Sequence, residues 1–314
     1  MRKLLAAAVV AAVLLGLLAL LLDLDWAVVW RGLSGMDPAL AAAAFGVYAL
    51  AFVGRGLRLG LLLPGAARLP LLCSIATRHI FLAVVLPART GEASLPLLLA
   101  SECGRPLEEG VSVLALQRVL DLACVAFFLV AGMLLAGADG DARALLPRAL
   151  AVLALLAAGL ALLRPLCRRL AFLAESRRRP LAFAGRAARH LAALGSGPLL
   201  AATLASLGTW LCTYGACWLL LRAMATPQAL GPAAAVDFAT SLVGTTGLHL
   251  SAVIPVSPLA GVGTWEMGWV AGYKLAGMDE QTALASAIVG HAVVLAFIVG
   301  LGAGAWLLRG RRAP

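Results

Sequence analysis

Apolar runs long enough to cross a membrane follow one another along the whole chain. The first runs from residue 4 to residue 22 without a charge, and the others cover residues 38–54, 119–138, 149–163, 198–221, 232–255 and 282–308. A helix needs about 20 predominantly apolar residues to cross a hydrocarbon core about 30 Å thick. We therefore predict an all-α polytopic membrane protein with about six spanning helices.

Two apolar segments are interrupted by proline and glycine. Residues 69–100 are broken at 86–92, and residues 232–277 are broken at 254–258 and again at 261–263. Proline removes a backbone donor, and the backbone groups that this frees cannot face lipid. We predict two broken, re-entrant-like helical hairpins whose breaks are buried in protein or line a wet cavity.

The two halves of the chain follow the same plan of two spanning helices, one broken hairpin and one further spanning helix. Because the first half crosses the membrane an odd number of times, the second half is inserted upside down. The sequence thus predicts an inverted repeat, about 1–140 and about 145–310, within a single membrane domain covering residues 1–314. Inverted repeats with paired interruptions are typical of transporters.

The charged residues agree with this class and suggest an orientation. Only 13% of the 314 residues are charged, against about a quarter in soluble domains. The net charge is +10. In a membrane protein the Lys and Arg residues mostly mark cytoplasmic loops, so we do not read this charge as a sign of a nucleic-acid partner and expect none. We place both termini and a basic loop, residues 164–190, in the cytoplasm, and the protein in the inner (cytoplasmic) membrane. The loop is either a topology signal alone or also a site for anionic lipid head groups.

Ionisable residues at membrane depth are costly, so each one is a candidate for function. Arg89 and Glu92 flank the first break, and Glu266 begins the helix after the second break. Arg118 and Asp121 are three residues apart, share one helix face and can form an ion pair.

We expect Arg89, together with Arg118 or Arg78, to bind an anionic head group while Glu92 and Glu266 organise or protonate the site. Structural roles are the alternative for each. The glutamates can cap half-helices, the Arg118–Asp121 pair can tie helices together, and His249 and His291 can simply pack in the core. No Cys-x-x-C spacing and no His/Cys/Asp cluster at metal-ligand spacing occurs, so we predict no metal and no cofactor.

Three short motifs carry a resemblance to a known family. The stretches 86–92 (LPARTGE), 117–121 (QRVLD) and 254–266 (IPVSPLAGVGTWE) resemble the lysylphosphatidylglycerol synthase transmembrane-region family, also called flippase-like domain proteins. The likeness extends over residues 5–308. The resemblance implies a role in lipid handling. It also supports a functional role for six positions, namely Arg89, Glu92, Arg118, Asp121, Gly263 and Glu266. Well-understood members also carry a soluble aminoacyl-transfer domain, which this sequence lacks, so we do not expect lipid aminoacylation from this polypeptide alone.

The leading functional prediction is a flippase-like transporter for an anionic or glycosylated amphipathic lipid in envelope biogenesis, which works by rocking around the two hairpins. One alternative is a non-transporting partner in a lipid- or glycolipid-modifying complex. A membrane-embedded lipid enzyme is less favoured, since no H-x-x-x-x-D pair or catalytic cluster is found, and we predict no catalytic residue. The expected partners are membrane lipids, with either a homo-oligomer or an envelope-synthesis protein as a further partner.

Overall fold

A computed structural model describes residues 26–137, 140–251 and 259–310, and these residues form helices without any strand. The first half contains α1 (Trp26–Ser34), α2 (Pro38–Leu62), α3 (Leu69–Val85), α4 (Ser94–Cys103) and α5 (Leu107–Leu135). The second half contains α6 (Gly140–Leu170), α7 (Arg179–Ala193), α8 (Ser196–Met224), α9 (Phe238–Ser251), α10 (Thr264–Leu275) and α11 (Glu280–Gly310). Short 3₁₀ segments lie at Pro87–Ala93, Ala171–Glu175, Pro232–Ala234 and Leu259–Gly261. We call Pro87–Ala93 the first break and Leu259–Gly261 the second break.

Five stretches of the described chain are helical, long and apolar enough to cross a membrane. They are Pro38–Leu62, Leu107–Leu135, Arg143–Glu175, Ser196–Met224 and Glu280–Leu307. The predicted all-α membrane class is therefore confirmed. The predicted first helix at residues 4–22 lies outside the described residues, so the count of six spanning helices stays a prediction, as does the inverted orientation of the halves.

Local sequence signals explain where the helices of the first hairpin begin and end. Residues before proline are disfavoured in the helical region, and Leu86, which precedes Pro87, is extended with ψ 134°. Helix α3 therefore ends there, and the first break follows. At the far end of α4, Gly104 adopts the left-handed conformation (φ 64°) that closes a helix C-terminus, and the Arg105 N–H donates to the Leu99 carbonyl.

Aspartates cap three of the described helices. Asp37 accepts hydrogen bonds from the backbone N–H groups of Ala39 and Leu40, which begin α2 after Pro38. Asp237 and Asp279 do the same before α9 and α11. The hydrogen bond from the Thr282 N–H holds the pKa of Asp279 below its ordinary value, as expected for a carboxylate at a helix N-terminus.

Helices α2 and α8 pack along each other, and α2 also contacts α3 of the first hairpin while α8 contacts α9 of the second. The first arm of each hairpin packs against the last helix of the other half, so that α3 contacts α11 and α9 contacts α5. The second break also contacts α3 and the first break. The two breaks therefore lie beside each other, with Gly91 buried and Thr90 and Ala93 of the first break exposed.

The basic stretch at residues 164–190, predicted as a loop, is largely helical. Helix α6 continues to Leu170, and α7 follows a short 3₁₀ segment and a turn. Helix α7 is amphipathic, because Ala182, Gly185, Ala188 and Leu191 recur at helical spacing and face the protein. Its opposite face carries arginines, so it is suited to the boundary between lipid and water rather than to crossing the membrane.

Candidate functional site

A cluster of charged side chains lies between α2, α5 and the first break, beside α3. It consists of Arg55 and Arg58 from α2, Glu92 from the first break, and Arg118 and Asp121 from α5. We call these five residues the arginine cluster. Three of the sequence-predicted site residues, namely Glu92, Arg118 and Asp121, therefore meet in one place.

Asp121 is the buried centre of this cluster and is 6% exposed. Its Oδ1 accepts from Arg58 Nη1 at 2.5 Å and from Trp210 Nε1 of α8 at 2.9 Å. Its Oδ2 accepts from Arg118 Nη1 at 3.3 Å. Arg58 also donates to Ser206 Oγ at 3.1 Å. This carboxylate therefore ties α2, α5 and α8 together, and its charge is matched by hydrogen-bonded cations as a buried charge requires.

Glu92 and Arg118 form the more open edge of the cluster. Arg118 Nη2 donates to Glu92 Oε2 at 2.5 Å, and the two side chains are 44% and 28% exposed, respectively. His79 of α3 approaches the same carboxylate, with Nε2 3.8 Å from Glu92 Oε2, while its Nδ1 contacts Ser94 Oγ at 2.9 Å. This pair can be reached by a ligand without disturbing the buried Asp121 bonds.

The arginine cluster holds more positive than negative charge. Two carboxylates face three arginines, and Arg55 forms no ion pair with any described residue. The Nε atoms of Arg55 and Arg58 are buried without a hydrogen-bond partner among the described residues. A narrow pocket opens here, lined by Arg55, Arg58, Leu59, Ala76, His79, Ile80, Leu95, Gln117 and Arg118. Guanidinium groups around a partly apolar pocket suit a phosphate or carboxylate on an amphipathic molecule.

A second buried pair lies beside the second break. His291 Nδ1 of α11 is 2.6 Å from Glu266 Oε1 of α10, and the two side chains are only 4% and 1% exposed. Glu266 Oε2 accepts from the Gly263 N–H at 2.7 Å, and His291 Nε2 donates to the Ala260 carbonyl at 3.1 Å. Trp265 stacks on the imidazole at 4.6 Å with an interplanar angle of 7°. We call Glu266 and His291 the glutamate–histidine pair.

Gly263 is part of this second arrangement through its backbone. It has φ 90°, a conformation that favours glycine, and this turns its N–H toward the Glu266 carboxylate. Glu266 therefore does cap its half-helix, as one reading of the sequence suggested, and in addition it binds a histidine on another helix.

Arg78 has a different setting from the other predicted site residues. Both of its Nη atoms donate to the Glu102 carboxylate, at 2.7 and 2.6 Å, and its guanidinium lies over the Trp306 ring at 5.1 Å. The side chain is fully buried. Arg78 thus forms a buried tie between α3, α4 and α11. Arg89 lies in the first break, and its side chain is outside the part of the structure that is described.

Sequence reasoning missed two members of the arginine cluster. It ended the second spanning helix near Gly54 and left Arg55 and Arg58 in a basic loop, whereas α2 continues to Leu62. The signal was present, because Leu59, Leu62 and Leu63 continue the apolar pattern past both arginines and are buried. His291, expected as a packing residue, is likewise the partner of Glu266.

Comparison with known proteins gives one match that covers nearly the whole chain. The family described as the lysylphosphatidylglycerol synthase TM region matches residues 4–302. The chain belongs to this family, which confirms the resemblance and makes it a lipid-related membrane protein with a flippase-like domain. No curated protein matches the chain.

Proposed function

We propose that this member of the lysylphosphatidylglycerol synthase TM region family is a flippase-like transporter that binds an anionic lipid head group at the arginine cluster. The observation that carries the proposal is the excess of arginine over carboxylate around a pocket inside a membrane protein. An unmatched buried charge costs several kcal/mol, so such a site is stabilised when a ligand supplies the missing negative charge. A phosphodiester supplies it and accepts two hydrogen bonds from a guanidinium.

The position of the cluster supports transport rather than static binding. Arg55, Arg58, Arg118 and Asp121 come from the first half, and Trp210 of α8 in the second half donates to the same Asp121. The pocket is lined by first-half residues, but the Asp121 that holds its arginines is bound from the second half, so a movement of one half against the other changes the position of the arginines. Rocking of repeats about a central site is the usual basis of alternating access.

Entry of a head group requires the hairpins to move, since the pocket is narrow and Glu92 occupies its edge by binding Arg118. We infer that the ligand's anionic group displaces Glu92 from Arg118. Exchange of one anion for another keeps the arginine paired, so the barrier to entry stays low. The acyl chains of the lipid remain in the surrounding bilayer.

A proteoliposome assay tests the proposal. Purified protein is reconstituted with head-group-labelled phosphatidylglycerol or phosphatidylcholine, and loss of the label's fluorescence on adding an impermeant reductant measures exchange between leaflets. We expect faster exchange than in empty vesicles, with phosphatidylglycerol preferred. Arg55→Gln and Arg118→Gln remove a charged contact worth about 1.5–3 kcal/mol, and we expect each to slow exchange about tenfold or more.

Arg222→Gln is the matched control, because this exposed arginine lies at the end of α8 over Trp218 and is remote from the cluster. It should leave the exchange rate unchanged. The proposal fails if the protein does not accelerate exchange of anionic, zwitterionic or glycosylated lipids.

The same preparation separates the alternatives. A non-transporting partner of a lipid-modifying complex would give no exchange, and the cluster variants would leave its cellular role intact. In that case the outer face of α6, where only 6% of the apolar window is buried, is a surface on which a second copy or another membrane protein can pack. A membrane-embedded enzyme would convert labelled lipid to a new product.

A further inference from the structure

The two glutamates at the breaks bind different kinds of cation at matching positions. Glu92 binds Arg118, and Glu266 binds His291. Arg118 and His291 each lie eleven residues after the first residue of their helices, which are the last helices of the two halves. Arginine is always charged in proteins, whereas histidine gains and loses a proton near neutral pH. One half therefore holds a permanent ion pair where the other holds a titratable one.

The hydrogen bonds around His291 require a proton between it and Glu266. The Ala260 carbonyl can only accept, so the bond to it places a hydrogen on Nε2. The contact of 2.6 Å between Nδ1 and Glu266 Oε1 then needs a second hydrogen, either on the imidazole or on the carboxyl group. In both cases the pair as a whole is neutral and holds one exchangeable proton.

Loss of this proton breaks one of the two hydrogen bonds of His291. With one ring hydrogen left, the imidazole can donate either to Glu266 or to Ala260, and its other nitrogen then faces an oxygen that also lacks a hydrogen. The pair also acquires a buried negative charge, since the two side chains are 1% and 4% exposed. Both effects favour rearrangement at the second break.

The bond that holds the break is attached to strained backbone. Ala260 has φ 56° and ψ 13°, in the left-handed region that is unfavourable for a residue with a Cβ. His291 keeps this conformation by donating to the Ala260 carbonyl. When the histidine turns its hydrogen to Glu266, the backbone at Ala260 can relax.

A change at the second break reaches the first break directly. The second break contacts α3 and the first break, which carry His79 and Glu92 of the proposed head-group site. We propose that the glutamate–histidine pair is a proton-binding site that couples proton binding to lipid movement. This inference rests on the proposed transport function, and it supplies that function with an energy source.

Other titratable groups on the surrounding elements have partners elsewhere. Apart from Glu266 and Arg222, the charged, histidine and tyrosine side chains described on α3, the first break, α8, α9 and α10 are Arg78, His79, Glu92, Tyr214, His249, Tyr273 and Lys274, and Lys274 binds Glu280 at 2.5 Å. Arg78 binds Glu102, His79 and Glu92 lie at the arginine cluster, and the two tyrosines hydrogen-bond to serine or threonine hydroxyls. His249 meets the rings of Trp210 and Tyr214 edge-on. Arg31 and Arg222, on α1 and α8, are exposed. Among the described residues, then, the proton is shared by Glu266 and His291 alone.

Nuclear magnetic resonance of ¹⁵N-labelled histidine tests proton binding without any transport assay. The chain has only four histidines, and His291→Gln identifies the resonances of the fourth. We expect the His291 ¹⁵N signals to change in a pH titration as the shared proton is lost, and we expect this change to be absent in Glu266→Gln. A His291 spectrum that stays unchanged throughout the titration overturns the inference.

The second measurement imposes a pH difference across the proteoliposomes described above. If one proton moves with each lipid, each pH unit shifts the leaflet distribution about tenfold. We expect this shift in the unaltered protein and in His190→Gln, a control on α7, and its loss in His291→Gln and Glu266→Gln. Exchange that ignores the gradient overturns the proton coupling and leaves the flippase proposal standing. Absence of all exchange overturns the flippase proposal, and the resonance measurement then decides proton binding by itself.

Discussion

The two halves of this protein put a glutamate at the same place in a broken hairpin and then surround it differently. In the first half, Glu92 meets a permanent cation, Arg118, at the edge of a pocket. In the second half, Glu266 meets a histidine whose ring stacks on Trp265, and both side chains of this pair are buried. An exposed ion pair can exchange one partner for a ligand, whereas a sealed titratable pair can exchange only a proton. The two pairs are therefore suited to two different tasks.

Both hairpins are closed by glycine. Helices α9 and α10 of the second hairpin cross at glycines, and a Cβ on Gly272 would lie 2.1 Å from the Gly244 carbonyl oxygen. A Cβ on Gly91 in the first break would lie equally close, 2.1 Å, to the Leu82 carbonyl oxygen of α3. The first hairpin differs in bordering the pocket of the arginine cluster, which suits a site that must admit a head group.

The largest loss of stability is expected from substitution of Asp121, the buried centre of the arginine cluster. Asp121→Asn keeps the shape but leaves Arg58 without a counter-charge in a buried setting. Removal of one partner of a buried ion pair costs about 3–5 kcal/mol. The apparent melting temperature of the protein in detergent should fall strongly. Combining Arg58→Met with Asp121→Leu should restore much of the loss, and no recovery would contradict the ion-pair explanation.

The two glutamates should differ in their effect on stability. Glu266→Ala leaves His291 Nδ1 and the Gly263 N–H without a buried partner, which should cost about 3 kcal/mol. Glu92→Ala removes a partly exposed pair, and we expect a cost of about 1 kcal/mol or less. Thermal unfolding of both variants under one condition tests the difference. Equal losses would show that the two pairs are not buried to different degrees.

A substitution at the close crossing of α9 and α10 in the second hairpin should cause an intermediate loss of stability. Gly272→Ala forces α9 and α10 apart, and overpacking of this kind costs about 1–3 kcal/mol. Gly300→Ala on α11 is the control, because a Cβ there meets nothing within 4 Å. Melting temperatures of the two variants should differ. An unchanged Gly272→Ala protein would mean that the hairpin arms are loosely packed.

The smallest effect is expected for Arg118→His, which makes the Glu92–Arg118 pair titratable like the glutamate–histidine pair. The variant replaces a permanent cation by one that is charged only below a pH of about 6.5. Binding of phosphatidylglycerol should then persist at low pH and weaken about tenfold as the pH rises through that value. The unaltered protein should show no such dependence at this site. Binding that stays independent of pH in the variant would mean that Arg118 does not contact the head group.

The sequence predicts much of the fold, because burial in a membrane leaves a strong local pattern. Five predicted spanning segments correspond to helices, and the first predicted hairpin breaks after Leu86, next to the expected proline. The break predicted at residues 254–258 of the second hairpin lies outside the described residues. Helix ends are less certain from sequence. The extension of α2 to Leu62 turns Arg55 and Arg58 from loop residues into site residues.

The candidate site could be predicted only in part. Charges inside apolar segments single out Glu92, Arg118, Asp121 and Glu266, since each is costly at membrane depth. Their partners do not follow from spacing. Arg58 is 63 residues from Asp121 and His291 is 25 residues from Glu266, so no helical periodicity joins them.

By itself, then, the sequence determined the membrane class, five of the long helices, the first break and which charges needed an explanation, because apolar runs and prolines act locally. Only the tertiary structure decided that Arg78 pairs with Glu102, that Asp121 joins three helices, and that Glu266 contacts His291. The physical reason is that a buried charge must find a partner within about 4 Å, and which partner is that close depends on how the helices pack.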